Sequence, residues 1–186
     1  MALNPHATFD IATRLREPGG APLGDVFSFM SGLYFRGKIE YARAFTPAEH
    51  QRERIKVITS NRGLLSADDR VTRDDLTAFS GVDIADGDPA YLIPLKRDVT
   101  RLLRMLPEPG CVVLLGSIAT SKYVDVLLSA FGHRLLFPVD FVGRGDMSRG
   151  GLLLRHARSG EPLSYVPVAG AATRGKRPPR LPRISR

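Results

Sequence analysis

Pro109-Gly110-Cys111-Val112-Val113-Leu114-Leu115-Gly116-Ser117 decides the fold class. A continuous apolar run of strand length, set between a Pro-Gly turn and a Gly-Ser exit, reads as a central β-strand covered on both faces. Behind it, Ile118 to Phe131 places Val124, Leu127, Leu128 and Phe131 at helical spacing, with Gly132 as the stop. Arg134 to Phe137 is the next strand, so strand, helix and strand follow one another as in an α/β unit.

Upstream, Asp88-Pro89 is an N-cap and N1 pair. It starts a helix with Leu92, Leu95, Val99, Leu102, Leu103 and Leu106 on one face, and Pro94 bends or restarts it. Thr72 with Asp75 three residues later has the form of a capping box for a short helix through Phe79, or of a turn. Arg54 to Ser60 reads as a strand running into Ser60-Asn61-Arg62-Gly63. Val26 to Met30 reads as the first strand, Ser31-Gly32 as a turn and Ile39 to Phe45 as a helix stopped near Pro47. Residues 1 to 24, broken by Pro5, Pro18, Gly19, Gly20, Pro22 and Gly24, form an irregular lead-in. Downstream, Gly151 to Ala157 and Pro162 to Val168 flank Ser159-Gly160 as a closing hairpin. The expected fold is a three-layer α/β/α domain over residues 1 to 172, with a mainly parallel central sheet and its ligand site at the carboxyl ends of the strands.

A chain of 186 residues with 43% hydrophobic and 25% charged residues has the composition of one globular domain. Its single cysteine excludes a disulfide framework or a thiolate cluster, fits a reducing compartment, and at the head of an apolar run is expected in the core. The sequence has neither an apolar window of membrane-crossing length nor a signal pattern at Met1 to Gly20, so a cytoplasmic protein, taken as a monomer, is expected. Residues 173 to 186 carry six cations and no acid, which leaves only +2 of the net +8 for the rest of the chain. With Pro178, Pro179 and Pro182 preventing regular structure, this tail is expected to be disordered when free. It serves either to attract polyanions, nucleic acid first, or simply to keep the protein in solution.

Four polar segments fall where βα loops would meet: Tyr34 to Lys38, Ser60 to Gly63, Gly116 to Lys122 and Gly143 to Arg149. Each carries glycine with a cation or a hydroxyl. The first supplies Tyr34, Arg36 and Lys38, although Tyr34 and Phe35 are equally placed to be core contacts of the helix. Gly116, Ser117 and Lys122 follow a buried strand and open a helix, whose free amides favour a phosphate. The segment lacks the second glycine and hydroxyl of a Walker loop, and no GxGxxG, GxSxG or HExxH pattern occurs. The four histidines are scattered and Asp83, Asp86 and Asp88 lack the regularity of a calcium loop, so neither a metal nor a cofactor is expected. In the last segment, four glycines between Gly143 and Gly151 let the backbone approach a ligand, and Arg144, Ser148 and Arg149 surround Asp146. Ionised between arginines, Asp146 can stabilise a sugar cation or orient water; it can also be an ion pair or a loop cap.

The order Val112 to Gly116 into a helix, then Phe137-Pro138 and a polar loop, resembles the core of the uracil-DNA glycosylase superfamily. Leu33 to Arg36 with Ile58 to Leu64 resembles related domains found with tRNA-guanine transglycosylases and archaeosine synthases. Together these cover roughly residues 26 to 156. The first catalytic motif of the superfamily, Gly-Gln-Asp-Pro or a Gly-Glu type, is missing, and its His-Pro-Ser motif is replaced by Gly143 to Gly150. The sequence is more similar to small bacterial antiphage glycosylases that excise bulky modified bases such as glucosylated hydroxymethylcytosine from phage DNA. The resemblance implies a cofactor-free DNA glycosylase that flips its target from double-stranded DNA and cuts the N-glycosidic bond. On that reading Arg36, Lys38, Ser60, Asn61, Arg62, Gly116, Ser117, Lys122 and Ser148 contact DNA or the departing base. Tyr34 stacks on the base, and Asp146, Arg144 and Arg149 organise the sugar. Lys38 or Lys122 as an amine nucleophile, a non-catalytic nucleic-acid-binding module, and a nucleoside or nucleotide glycosyl-transferring enzyme are the alternatives.

Overall fold

The computed structural model describes residues 4, 6–84, 87–119, 121–179 and 181. Asp86, Thr120, Pro182 and the tail residues Arg180, Arg183 and Arg186 therefore lie outside the described residues. The chain is mixed α/β and helix-rich. In order it forms α1 (Asp10–Arg16), β1 (Ala21–Pro22), α2 (Leu23–Ala44), α3 (Gln51–Arg54), β2 (Lys56–Ile58), β3 (Leu64–Ser66) and β4 (Arg70–Val71). There follow α4 (Arg73–Ser80), α5 (Pro89–Met105), β5 (Val112–Val113), α6 (Ser121–Phe131), β6 (Leu135–Pro138), α7 (Asp146–Ser159) and β7 (Tyr165–Pro167).

The strands do not build the expected mainly parallel central sheet. They pair as an antiparallel β1-β4 couple, an antiparallel β2-β3 hairpin and a three-stranded sheet of order β5-β6-β7. Only β5 and β6 are parallel, with Val112 opposite Leu135, and β7 returns antiparallel to β6. The run at Val112 is an edge strand, and Val113 is 39% exposed. The central strand is β6, where Leu135, Phe137 and Pro138 are all buried. Cys111, expected inside, is exposed.

Three further expectations are corrected. Val26 to Met30 belongs to α2, where Leu23 and Val26 bury three residues apart on one helical face rather than alternating. The lead-in contains α1, which buries Ala12 and Leu15. Gly151 to Ala157 is not a hairpin arm: it lies in α7, which starts at Asp146, buries Leu152 and Leu153 and stops at Gly160. The locally encoded starts hold, since Thr72 and Asp75 form the reciprocal capping box and the Asp88 carboxylate accepts from the Ala90 amide ahead of Pro89.

Two apolar clusters fill the interior. The larger joins Tyr91, Leu95 and Val99 of α5, Phe131 of α6, Leu135 and Phe137 of β6, and Leu153 of α7. The smaller joins Leu15, Ala21, Leu23, Val26, Val57, Val71, Leu76 and Phe79. Helix α2 bends at Gly32: before the bend Val26 joins the smaller core, and after it Ile39 joins the smaller and Tyr41 the larger. Among the described residues no helix is long and apolar enough to cross a membrane.

Candidate functional site

The site is set by a close crossing of two helices. A methyl at Gly37 of α2 would sit 2.8 Å from the Gly150 carbonyl oxygen of α7, and one at Gly150 would sit 2.7 Å from the Leu33 carbonyl oxygen. Only side-chain-free positions allow backbones this near, as at small-residue crossings generally. The contact carries Tyr34 and Lys38, one turn apart on α2, onto Asp146 and Arg149 in the first turn of α7. Both helices meet there beyond the carboxyl ends of parallel β5 and β6, which feed the segments Leu114 to Ala119 and Val139 to Gly145 into the same region.

Tyr34 is the hinge of the cluster. Its hydroxyl donates to the Leu115 carbonyl at 3.2 Å, and its ring stands edge-on to Phe141 with centroids 6.1 Å apart. The Lys38 ammonium lies over the phenol ring, 4.1 Å from its centroid. Arg149 is held from three directions. Its Nε and Nη2 both donate to the Phe141 carbonyl at 3.2 Å, its guanidinium lies 5.5 Å from the Phe141 ring, and its Nη1 is 3.8 Å from the Asp146 carboxylate. The two charges differ in solvation: the Arg149 side chain is 15% exposed and that of Asp146 73%. From α6, the Tyr123 hydroxyl donates to the Ser117 carbonyl at 2.9 Å and closes over Gly116, where a methyl would come within 2.8 Å of it.

Burial dominates the protonation of this cluster. It lowers Lys38 from its ordinary 10.5 to about 8; Asp146 pulls the value back up and Arg149 pushes it further down. Burial raises Tyr34 to about 12 against the opposing pull of Arg149, and it raises Tyr123 as well. Tyr91, within the larger core and electrostatically coupled to Tyr123, is pushed up to about 12 by the same cause. The assembled groups are a carboxylate open to solvent, a fixed guanidinium, an amine that loses its proton near pH 8, and phenols that stay protonated. Such a set can hold a phosphate or sugar, stabilise a developing cation beside Asp146, or present a neutral amine.

The structure thus brings together Tyr34, Lys38, Gly116, Ser117, Asp146 and Arg149. Arg144 is a clamp: its guanidinium donates to the Asp140 carbonyl at 2.9 Å, to Ser148 Oγ at 3.3 Å and to the Pro179 carbonyl at 3.5 Å. Other expected residues are placed differently. Ser60 Oγ donates to the Phe79 carbonyl, Asn61 Nδ2 to the Ala78 carbonyl and Arg62 to the Asp75 carboxylate, so this loop is spent on anchoring α4. Arg36 is exposed on α2, and Lys122 lines a groove of about 660 Å³ between α5 and α6. Tyr123 and Phe141 were not foreseen. A tyrosine in the first turn of the helix behind a glycine exit, and an aromatic directly after the β6 edge, were the available signals. Among the described residues no group of three or more His, Cys, Asp or Glu could hold a metal ion.

No family model, curated protein or solved structure matches the chain.

Proposed function

We propose that the protein is a DNA glycosylase whose reaction centre is the edge where Tyr34, Lys38, Asp146 and Arg149 meet. The observation that supports it is this meeting itself. Residues far apart in the chain place an aromatic ring, a fixed cation and a solvent-facing carboxylate side by side beyond a parallel strand pair. A nucleotide flipped out of duplex DNA offers a base to Tyr34, a phosphate to Arg149 and a sugar to Asp146. As the C1′–N bond breaks, positive charge grows on the sugar and Asp146 stabilises it, while water adds to C1′ and the base departs with a proton. The resemblance in sequence supplies the substrate class, a bulky modified cytosine in phage DNA, and with it a role in antiphage defence.

A positioned charge of this kind contributes roughly 3 to 4 kcal/mol once DNA has excluded water, so Asp146→Asn should slow single-turnover base release about 100-fold or more. The assay is formation of alkali-labile abasic sites in phage DNA carrying glucosylated hydroxymethylcytosine. Release at the wild-type rate by the variant would remove Asp146 from the mechanism, and no release by the wild type from any modified or unmodified DNA would remove the glycosylase.

The low pKa of Lys38 favours a second reading, in which its neutral amine attacks C1′, displaces the base and forms an iminium with the opened sugar. The two readings diverge on one variant. Asp146 holds the Lys38 pKa up, so Asp146→Asn should leave more free amine at neutral pH and preserve trapping by borohydride, whereas hydrolysis assisted by Asp146 should fail.

A further inference from the structure

The tail does not hang free. Gly143 adopts φ +74, and a methyl there would collide with the Lys176 carbonyl oxygen, so the chain after Gly175 crosses directly over the β6–α7 loop. Gly175 mirrors it, with a methyl position only 2.6 Å from Val142 Cγ1. Further along, Arg144 reaches the Pro179 carbonyl and Leu181 packs on the larger core beside Gly151. Two glycines, a guanidinium and a leucine thus fasten an extended arm across the start of α7. This departs from the expectation of a disordered tail, because prolines prevent helix and strand but leave an extended segment free to dock through its carbonyls and one apolar anchor.

Between arm and helix runs a groove of about 720 Å³, walled by Arg177, Pro178 and Pro179 on one side and by Gly145, Asp146 and Ser148 on the other. Its chemistry is divided. Arg177 is exposed on the arm wall, with Arg174 and Lys176 exposed on either side of Gly175. Asp146, the carboxylate of the opposite wall, is already within 3.8 Å of Arg149.

We infer that the arm and the first turn of α7 form a strand-binding groove, in which the arm cations, Arg177 foremost, hold the phosphodiester backbone of a DNA strand while Asp146 faces its sugar. This rests on the proposed action at a nucleotide and deepens it, because it turns the basic tail from a diffuse attraction into a fixed wall of the site. The division of charge decides the occupant. A polyanion without a sugar would gain nothing from the Asp146 wall, whereas a nucleotide chain presents phosphate and sugar on the same repeat.

The test is the salt dependence of binding of a fluorescent duplex with one unpaired nucleotide, measured by anisotropy on the full chain. Arg177→Ala should reduce the slope of log Kd against log salt by about 1 and weaken binding uniformly across sequences. Gly143→Ala, which displaces the arm without removing any of its charges, should weaken binding at least as much as Arg177→Ala. If both variants bind as the wild type does, the arm is not a wall of the site. If the wild type binds deoxycytidine monophosphate and ignores the duplex, the groove takes a free nucleotide and the inference of a strand fails. Base release is scored separately: arm variants that lose affinity in a protein that never releases a base would sink the glycosylase and leave the groove standing. A wild type that releases bases, with arm variants of unchanged affinity, would do the reverse.

Discussion

Tyr91 is 1% exposed, sits in the larger core, and its hydroxyl has no hydrogen-bond partner among the described residues. A buried hydroxyl without a partner costs about 1 to 3 kcal/mol, so Tyr91→Phe should stabilise the fold by about 1 kcal/mol. In a chain of this size that corresponds to a rise of roughly 2 to 4 °C in melting temperature. A fall in melting temperature would mean that the hydroxyl has a partner in solution. Lys38 gives a pH-dependent case whose sign follows from linkage. Its folded-state pKa of about 8 lies below its ordinary 10.5, so between those values the unfolded chain binds more protons and wild-type stability rises with pH. Below about pH 8 the full disadvantage of the buried ammonium is present. Lys38→Met removes the group, so its stability relative to wild type should be greatest below pH 8 and decline towards pH 10.5. Urea unfolding of both proteins at pH 7 and pH 9.5 checks this; a difference that does not move with pH would mean that the ammonium is solvated.

At the scale of elements, what could be read from the sequence was what is encoded locally. Thr72 with Asp75 and Asp88 with Pro89 satisfy amides within three residues of themselves, so the starts of α4 and α5 are written in a few adjacent letters. Helix α7 is the opposite case. Gly143, Gly145, Gly150 and Gly151 have the composition of a ligand loop, yet the last two lie inside a helix, where Gly150 is pressed by α2 and Gly151 faces Leu181. No nearby residue announces that pressure, although Asp146 in the first turn, His156 and Arg158 in the last and Gly160 at the stop were readable helix signals. Gly150→Ala tests which cause prevails. Propensity alone predicts a gain of about 1 kcal/mol for alanine within a helix. The Leu33 carbonyl oxygen 2.7 Å from the new methyl predicts a loss of about 1 to 3 kcal/mol, since backbone and not a flexible side chain must move. We expect the loss, read as a lower urea midpoint, together with a shift of the Lys38 titration as α2 is pushed off Asp146 and Arg149.

The whole molecule is organised by which core each segment serves, and this was the least legible level. A strand of two or three residues, as in β1, β2 and β5, carries too little pattern to name its partner, so a parallel sheet was the natural but incorrect extrapolation from Val112 to Leu115. Tyr34, Lys38, Asp146 and Arg149 stand out in the sequence by charge and aromatic character alone, and they come together in space although the strand order differs from the expected one. The two cores are joined through α2, whose axis turns at Gly32 with φ +67 and ψ −148, a conformation open in practice to glycine alone. A methyl there would meet no atom within 4 Å, so any cost of Gly32→Ala comes from the backbone and not from a clash. Were α2 straight in solution, alanine would raise stability by about 1 kcal/mol; holding the bend should instead cost about 1 to 3 kcal/mol. The sequence supplies its own probes for the location of that cost. Tyrosine fluorescence reports on the larger core, which includes or packs against all five tyrosines, while far-UV circular dichroism reports on both. In the wild type the shared helix should make the two urea transitions coincide. In Gly32→Ala the dichroism transition should come first, because the smaller core, with fewer buried side chains to oppose the strain, releases the first half of α2 before the tyrosines are exposed. A raised midpoint with coincident transitions would show that α2 runs straight and that the two cores meet at a different angle.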